Sequence, residues 1–340
     1  MVTEWRNGRR RPAAATVWDA AGVIPTIDDI RVAAATIERH VHRTPVLSSA
    51  TLSTAVGAPV MLKAELLQRS GSFKVRGAFN RLSSLTAEQR ARGVIGLSAG
   101  NHAQALALAA RELGTTALVL MPPDASEAKV AATRGYGGEV DLESADAAAM
   151  HERMTELAEA SGRVVVHPFN DPAVQAGGGT VGLELCQQVP DLDTVVVPVG
   201  GGGLVTGIGA AVKALLPGVR VIGVEPELAP TVRRALDAGE VVPVELGPTI
   251  ADALKAPSAL PNSLEGCQTV VDDVVLVSED ELIEAVRFIY SRAKLACEGG
   301  AAAGVAALLS GRVDVSGSRG VAVVVSGGNI APDLLARLLI

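Results

Sequence analysis

Thr194-Val195-Val196-Val197-Pro198-Val199-Gly200-Gly201-Gly202-Gly203-Leu204 sets a short β-branched run directly against four consecutive glycines. The run is apolar throughout, the composition of a strand buried on both faces of a parallel sheet. The stretch after it, 204–216, repeats apolar residues at helical spacing. Glycines between a strand and a helix leave the N–H groups at the helix N-terminus unobstructed, which suits a phosphate. The alternative is a flexible turn, but four glycines in a row destabilise a chain unless a close approach requires them. The dinucleotide spacing G-x-G-x-x-G fails, because Val205 and Thr206 stand where its last glycine belongs. The nucleotide pattern G-x-x-x-x-G-K-[ST] does not fit either. One small phosphate-bearing ligand is therefore expected at Gly200, Gly201, Gly202 and Gly203, not a dinucleotide.

Outward from this loop, strand-like runs at 93–97, 117–121, 164–167, 219–224 and 320–325 alternate with helical patterns at 103–113, 126–133, 147–160, 181–188 and 279–295. Thr26 with Asp29, and Ser278 with Glu281, stand in capping-box register. Such alternation predicts an α/β fold with a parallel sheet and right-handed crossovers.

Three further segments carry candidate chemistry. Lys74 lies in Ser70-Gly71-Ser72-Phe73-Lys74-Val75-Arg76-Gly77-Ala78, between a small-residue turn, an aromatic ring and an apolar helical stretch. Such a place can desolvate an ammonium and lower its pKa from about 10.4. A neutral amine can attack a carbonyl and hold it as a Schiff base. Taken alone, a surface lysine after a tight turn is the simpler reading. Ser98-Ala99-Gly100-Asn101-His102-Ala103-Gln104 again feeds small residues into a helix N-terminus, where a carboxylate finds several donors at once. Plain helix capping by Ser98 and Asn101 is the alternative, and His102 reads more simply as an ordinary helix residue than as a proton carrier. Ser326, in Ser326-Gly327-Gly328-Asn329, projects from the carboxyl end of a strand, where open parallel sheets bind ligands; otherwise it is a turn serine.

Together, S-G-S-F-K-V-R-G-A, S-A-G-N-H-A-Q, P-V-G-G-G-G-L and S-G-G-N resemble the fold-type II pyridoxal-phosphate enzymes, within them the threonine/serine dehydratase and serine racemase branch. The likeness runs from about residue 24 to the C-terminus and includes A-A-T-R-G-Y-G at 131–137, H-P-F-N-D-P-A at 167–173 and T-I-A-D at 249–252. It implies a two-lobed, parallel-sheet-based α/β fold of the tryptophan synthase β type. The larger lobe would hold 24–90 with 169–340 and the smaller 91–168; the Arg- and Ala-rich composition of 1–23 reads separately as a disordered tail.

The resemblance also implies roles. Lys74 would hold pyridoxal 5'-phosphate and take the substrate's α-proton, with Phe73 near the ring. The four glycines would bind its phosphate, Asn101 its 3'-oxygen and Ser326 its ring nitrogen. Ser98, Ala99, Gly100, Asn101 and His102 would meet the substrate carboxylate. A hydroxyl at the ring nitrogen makes a weaker electron sink than a carboxylate, which favours β-elimination over a long-lived carbanion. Racemising relatives look to carry a second serine where this chain has Ala99, so dehydration of a 3-hydroxy amino acid such as L-threonine or L-serine is expected above racemisation. Glu225 and Ala229 resemble part of a metal site, but Thr231 stands where its acidic third ligand would be, and no metal is expected. Departures at Leu66, Gly178, Ala253 and Glu298–Ala301 bear on substrate choice. The rivals are a serine racemase, a β-replacement enzyme and a non-catalytic binding protein on the same scaffold.

Composition bounds the rest. In 340 residues, 48% apolar content with only 2% aromatic demands an aliphatic core. A net charge of −7 argues against nucleic-acid or anionic-membrane surfaces. No apolar stretch reaches membrane-spanning length, and the Arg-rich start lacks an apolar signal core. Cys186, Cys267 and Cys297 are far apart and form no C-x-x-C pair, which fits reduced thiols in a cytoplasm. Cys186 and Cys297 read as space-filling residues in helices. A homodimer is expected from the resemblance.

Overall fold

The computed structural model describes residues 24–98, 100–189 and 191–340. The expected tail at 1–23 and the Ala99 assignment lie outside the described residues. In chain order the elements are α1 (Ile27–Ile37), β1 (Val46–Ser48), α2 (Ala50–Val56), β2 (Val60–Ala64), α3 (Lys74–Ser83), α4 (Ala87–Arg92), β3 (Val94–Leu97), α5 (Asn101–Glu112), β4 (Ala117–Leu120), α6 (Glu127–Gly135), β5 (Glu139–Asp141), α7 (Ala147–Ser161) and β6 (Val164–Val165). There follow α8 (Pro172–Gln188), β7 (Thr194–Pro198), α9 (Gly203–Leu215), β8 (Arg220–Pro226), α10 (Thr231–Ala238), α11 (Pro261–Val270), β9 (Asp273–Val277), α12 (Glu279–Phe288), α13 (Gly299–Leu309), β10 (Val321–Val325) and α14 (Pro332–Leu339).

They build two sheets. One has the order β1-β2-β10-β7-β8-β9 and is parallel except for the β1–β2 pair. The other, β5-β4-β3-β6, is parallel throughout. The parallel α/β expectation is met. Alternate residues of the central strands feed opposite cores: Val195 and Val197 pack with Val205 and Ile208 of α9, while Val196 packs with Val323, Val305 and Ala306. That two-sided burial is why these strands read as unbroken valine runs.

Both expected capping boxes form, at Thr26–Asp29 and Ser278–Glu281. Three expectations need correcting. The helix expected at 181–188 begins at Pro172, capped by Asp171. The intervening Gly177-Gly178-Gly179 hides it from propensity, because here glycine serves packing. A Cβ on Gly177 would lie 2.5 Å from the Arg76 carbonyl oxygen, and one on Gly207 would collide with the Gln175 carbonyl oxygen. So α8 touches α3 and α9 backbone to backbone and sets the spacing between the lysine helix and the glycine-loop helix. The helix expected at 279–295 stops at Phe288 and passes through a π-turn, Ile289–Ala293, before Lys294 turns left-handed at φ 61°. Cys297 therefore fills space in an irregular segment, not in a helix.

Behind α3 lies a buried charged cluster. Arg76 Nε and Nη2 donate to the two Glu65 carboxylate oxygens at 2.8 Å each, and Nη1 donates to Glu184 Oε1 at 2.7 Å. Lys63 Nζ donates to Glu184 Oε2, Gln188 Oε1 and the Thr44 carbonyl. Burial alone would raise the Glu65 carboxyl; the Arg76 charge overcomes this and holds it below the usual carboxylate range.

Candidate active site

Lys74 opens α3. The turn before it is stitched to the segment after β10. Phe73 N–H donates to the Ser326 carbonyl at 3.1 Å, Gly328 N–H donates to the Gly71 carbonyl at 2.9 Å, and Ser72 bridges to Gly327. Ser70 and Gly71 adopt φ of 57° and 74° to make that turn. The half-buried Lys74 side chain donates from Nζ to the Pro168 carbonyl at 2.8 Å, with the ammonium 5.1 Å from the Phe73 ring centre. Burial lowers its pKa to about 8, against the pull of the Glu298 carboxylate that holds the proton on.

The glycine loop follows β7 and ends in α9, with Gly202 at φ 89° as the cap residue. The Phe169 ring lies where a Cβ on Gly201 would sit, at 2.5 Å, and a Cβ on Gly203 would come 2.7 Å from the Phe169 backbone. The Phe169 carbonyl in turn accepts from Gln175 Nε2 and Ser263 Oγ, fixing the ring against the loop. Phe169 follows Pro168, the residue that receives Lys74. One short segment thus touches both the amine and the glycine loop.

Ser98 follows β3, and its Oγ accepts from Gly100 N–H at 3.1 Å. Gly100 occupies the cap position of α5 without a side-chain cap, and Asn101 is the first helical residue. His102 turns inward: it is buried, and Nε2 lies 3.1 Å from the Val166 carbonyl. That carbonyl can only accept, so Nε2 carries the proton and Nδ1 is the bare nitrogen. Burial, then the Lys74 charge, lower its pKa to about 3, and the ring stays neutral. Ser326 is buried at the carboxyl end of β10. Glu225 spends both carboxylate oxygens on the Val232 and Arg233 N–H groups, at 2.7 and 2.8 Å, where they anchor the start of α10.

Four residues with no assigned role in the sequence reading also belong here. Glu298 Oε1 accepts from Asn101 Nδ2 at 2.7 Å, and Asn329 Nδ2 donates to Asn101 Oδ1 at 2.7 Å. Lys129 of α6 pairs with Asp252, and its Nζ lies 4.0 Å from where a Cβ on Gly100 would sit. The motifs containing Glu298, Asn329 and Asp252 were visible as family-like strings, but nothing local says which partners they meet.

The site accepts a group bearing an aldehyde and a phosphate. It offers an amine that loses its proton near pH 8, a glycine loop with no side chains over its N–H groups and no room for them against Leu254, Phe169 and Cys267, and a buried Ser72 Oγ with no hydrogen-bond partner among the described residues. These residues fit pyridoxal 5'-phosphate.

Comparison with known proteins agrees. The family described as "Pyridoxal-phosphate dependent enzyme" matches residues 37–327. The chain is 44% identical to the L-threonine ammonia-lyase of Thermotoga maritima over 316 residues, covering 92% of this chain and 78% of that protein. It is 40% identical to the catabolic L-threonine dehydratase of Escherichia coli K12, covering 89% and 93%. Among solved structures it is similar to maize serine racemase, with TM-score 0.89, 36% identity and coverage of 93% and 97%.

Proposed function

The chain belongs to the pyridoxal-phosphate-dependent enzyme family, and on that premise we propose that it dehydrates and deaminates a 3-hydroxy amino acid, L-threonine or L-serine, to a 2-oxo acid and ammonia. Its cofactor is pyridoxal 5'-phosphate, which when bound supplies an electron sink conjugated to the substrate α-carbon. Lys74 Nζ would hold its aldehyde carbon beside the Phe73 ring, with the N–H groups of Gly200, Gly201, Gly202 and Gly203 on its phosphate. Asn101 would donate to its 3'-oxygen and Ser326 would meet its ring nitrogen.

The substrate carboxylate docks on Ser98, Gly100 and Asn101, where the first turn of α5 points its unpaired N–H groups outward. Ala99 and His102 belong to the same loop, His102 as the neutral ring that braces it from below. Freed Lys74 takes the α-proton at Nζ as a neutral amine. The β-hydroxyl then departs with that proton as water, and the enamine released takes up water and loses ammonia to give the 2-oxo acid. The observation that carries this reading is the Lys74 amine, desolvated to about 8 at a turn tied to Ser326.

A panel of 3-hydroxy amino acids assayed for 2-oxo acid and ammonia tests it, with Lys74→Ala as control. Full activity in that variant overturns the mechanism. Serine racemisation is the second reading, supported by the likeness to maize serine racemase; solvent deuterium at the α-carbon of recovered serine of inverted configuration would identify it.

We also assign the larger lobe to 24–90 with 169–340 and the smaller to 91–168, because each range holds one sheet. A cytoplasmic homodimer completes the proposal; the three unpaired thiols support a reducing compartment.

A further inference from the structure

A chain of hydrogen bonds crosses from the segment before Lys74 to the substrate loop. It starts at the Ser70 backbone carbonyl, which can only accept. Asn329 Nδ2 donates to it at 2.8 Å and spends its other hydrogen on Asn101 Oδ1 at 2.7 Å. Asn101 Oδ1 is therefore an acceptor, which fixes its Nδ2 on the side of Glu298, whose Oε1 receives it at 2.7 Å. A backbone carbonyl thus decides the orientation of both amides. Nδ2 of Asn101 keeps one hydrogen beyond the one given to Glu298, and no side chain or carbonyl among the described residues takes it.

Glu298 is held to this task. It is buried, its own N–H donates to the Gly327 carbonyl at 3.2 Å, and a Cβ on Gly327 would collide with Oε1. Nothing larger than glycine at 327 lets the carboxylate reach Asn101. The π-turn Ile289–Ala293 and left-handed Lys294 deliver the segment that ends in Glu298.

We propose that Glu298 is a positioning residue: it locks the Asn101 side-chain amide so that its remaining N–H faces the cofactor's 3'-oxygen. This rests on the cofactor reading above. Glu298 touches neither substrate nor cofactor; it acts through Asn101, and Asn329 holds the other end. The charged groups facing it are Lys74 from α3, Lys129 from α6 and Asp252. Burial, then Asp252, raise its pKa to about 7, while the Asn101 hydrogen bond, Lys129 and Lys74 oppose the rise.

The test uses full-length holoprotein and two near-isosteric variants. Glu298→Met keeps the volume and removes the acceptor; Glu298→Gln keeps an acceptor oxygen. Cofactor affinity is read by titrating pyridoxal 5'-phosphate against the visible band, and the band is also followed from pH 6 to 9. We expect the methionine variant to bind cofactor at least about tenfold more weakly, as a lost hydrogen bond to a buried amide implies, with a displaced spectral titration. The glutamine variant stays within about threefold of wild type on the same ground. Combining Glu298→Met with Asn101→Ala adds nothing to Asn101→Ala alone, because the two act on one contact.

Wild-type affinity and spectrum in the methionine variant overturn the inference. So does a glutamine variant as weak as the methionine one, or full additivity in the double variant. Lowered thermal stability with unaltered cofactor affinity marks a merely structural role and overturns it too. Should the methionine variant not fold, Glu298→Ala is read in the same way. Wild-type protein that takes up no cofactor overturns the cofactor reading along with the inference, so the two failures are told apart.

Discussion

Arg76 and Glu65 form a two-pronged ion pair, with both carboxylate oxygens 2.8 Å from guanidinium nitrogens and both side chains buried. Arg76 lies two residues past Lys74 on the opposite face of α3. The pair therefore anchors the helix that carries the reactive amine, together with Glu184 and the His42 carbonyl. Removing one member strands a buried charge. Glu65→Ala is expected to cost about 3–5 kcal/mol of unfolding free energy. Arg76→Lys cannot reproduce the planar fork and should cost at least about 2 kcal/mol. Urea denaturation of the holoprotein measures both; a change under about 0.5 kcal/mol in either, the range of ordinary surface substitutions, would show that the cluster does not hold the helix.

Lys74 sets a pH dependence with a definite sign. The reactive form is the neutral amine, and its pKa lies near 8, below the ordinary lysine value of 10.5. In cofactor-free protein, the rate at which added pyridoxal 5'-phosphate restores the visible band should rise with pH and level off above about 8, since the ammonium cannot attack. A rise that continues past pH 10 would mean the amine is fully solvated. Lys74→Ala should recover no lysine-linked band at any pH and lose turnover by at least about 1,000-fold.

Neighbouring glycines of α8 should respond in opposite directions. A Cβ on Gly177 runs into the Arg76 and Gly77 backbone, whereas one on Gly178 meets nothing nearer than Leu204 at 3.7 Å. Gly177→Ala is expected to destabilise by at least about 2 kcal/mol through overpacking against backbone that cannot move aside. Gly178→Ala should stabilise by about 0.5–1 kcal/mol, the ordinary gain of alanine over glycine inside a helix. Thermal or urea unfolding of the pair decides; equal effects would refute backbone-to-backbone contact between α3 and α8.

In the glycine loop, Gly203→Ala places a methyl 2.7 Å from the Phe169 backbone. The loop must open, and its N–H groups lose their convergence. Cofactor affinity should fall at least about tenfold, since several charge-assisted hydrogen bonds weaken together. Equilibrium dialysis against pyridoxal 5'-phosphate gives the number, and an unchanged affinity would place the phosphate elsewhere.

The legible parts of this protein were those written in short range. The valine runs of β7 and β10, the capping boxes and the glycine loop each depend on residues within a few positions of one another. The helix α8 was half hidden because its three glycines look like a turn unless one knows that α3 and α9 press against them. The π-turn at Ile289–Ala293 was hidden for a related reason: the apolar spacing continues through it, and only Lys294 at φ 61° ends the helix.

By itself the sequence determined the parallel α/β alternation and the family, and it singled out Lys74 and the four glycines as candidates, because those rest on local pattern and on motif order. Only the tertiary structure decided that Glu298 and Asn329 grip Asn101, that Phe169 caps the glycine loop, and that Arg76 is neutralised by Glu65 and Glu184. Each of those contacts joins side chains or backbone from separate elements. Their hydrogen-bond directions follow from donors and acceptors that packing brings together, and the lowered Lys74 pKa from burial that outweighs the Glu298 charge, quantities that no stretch of sequence carries.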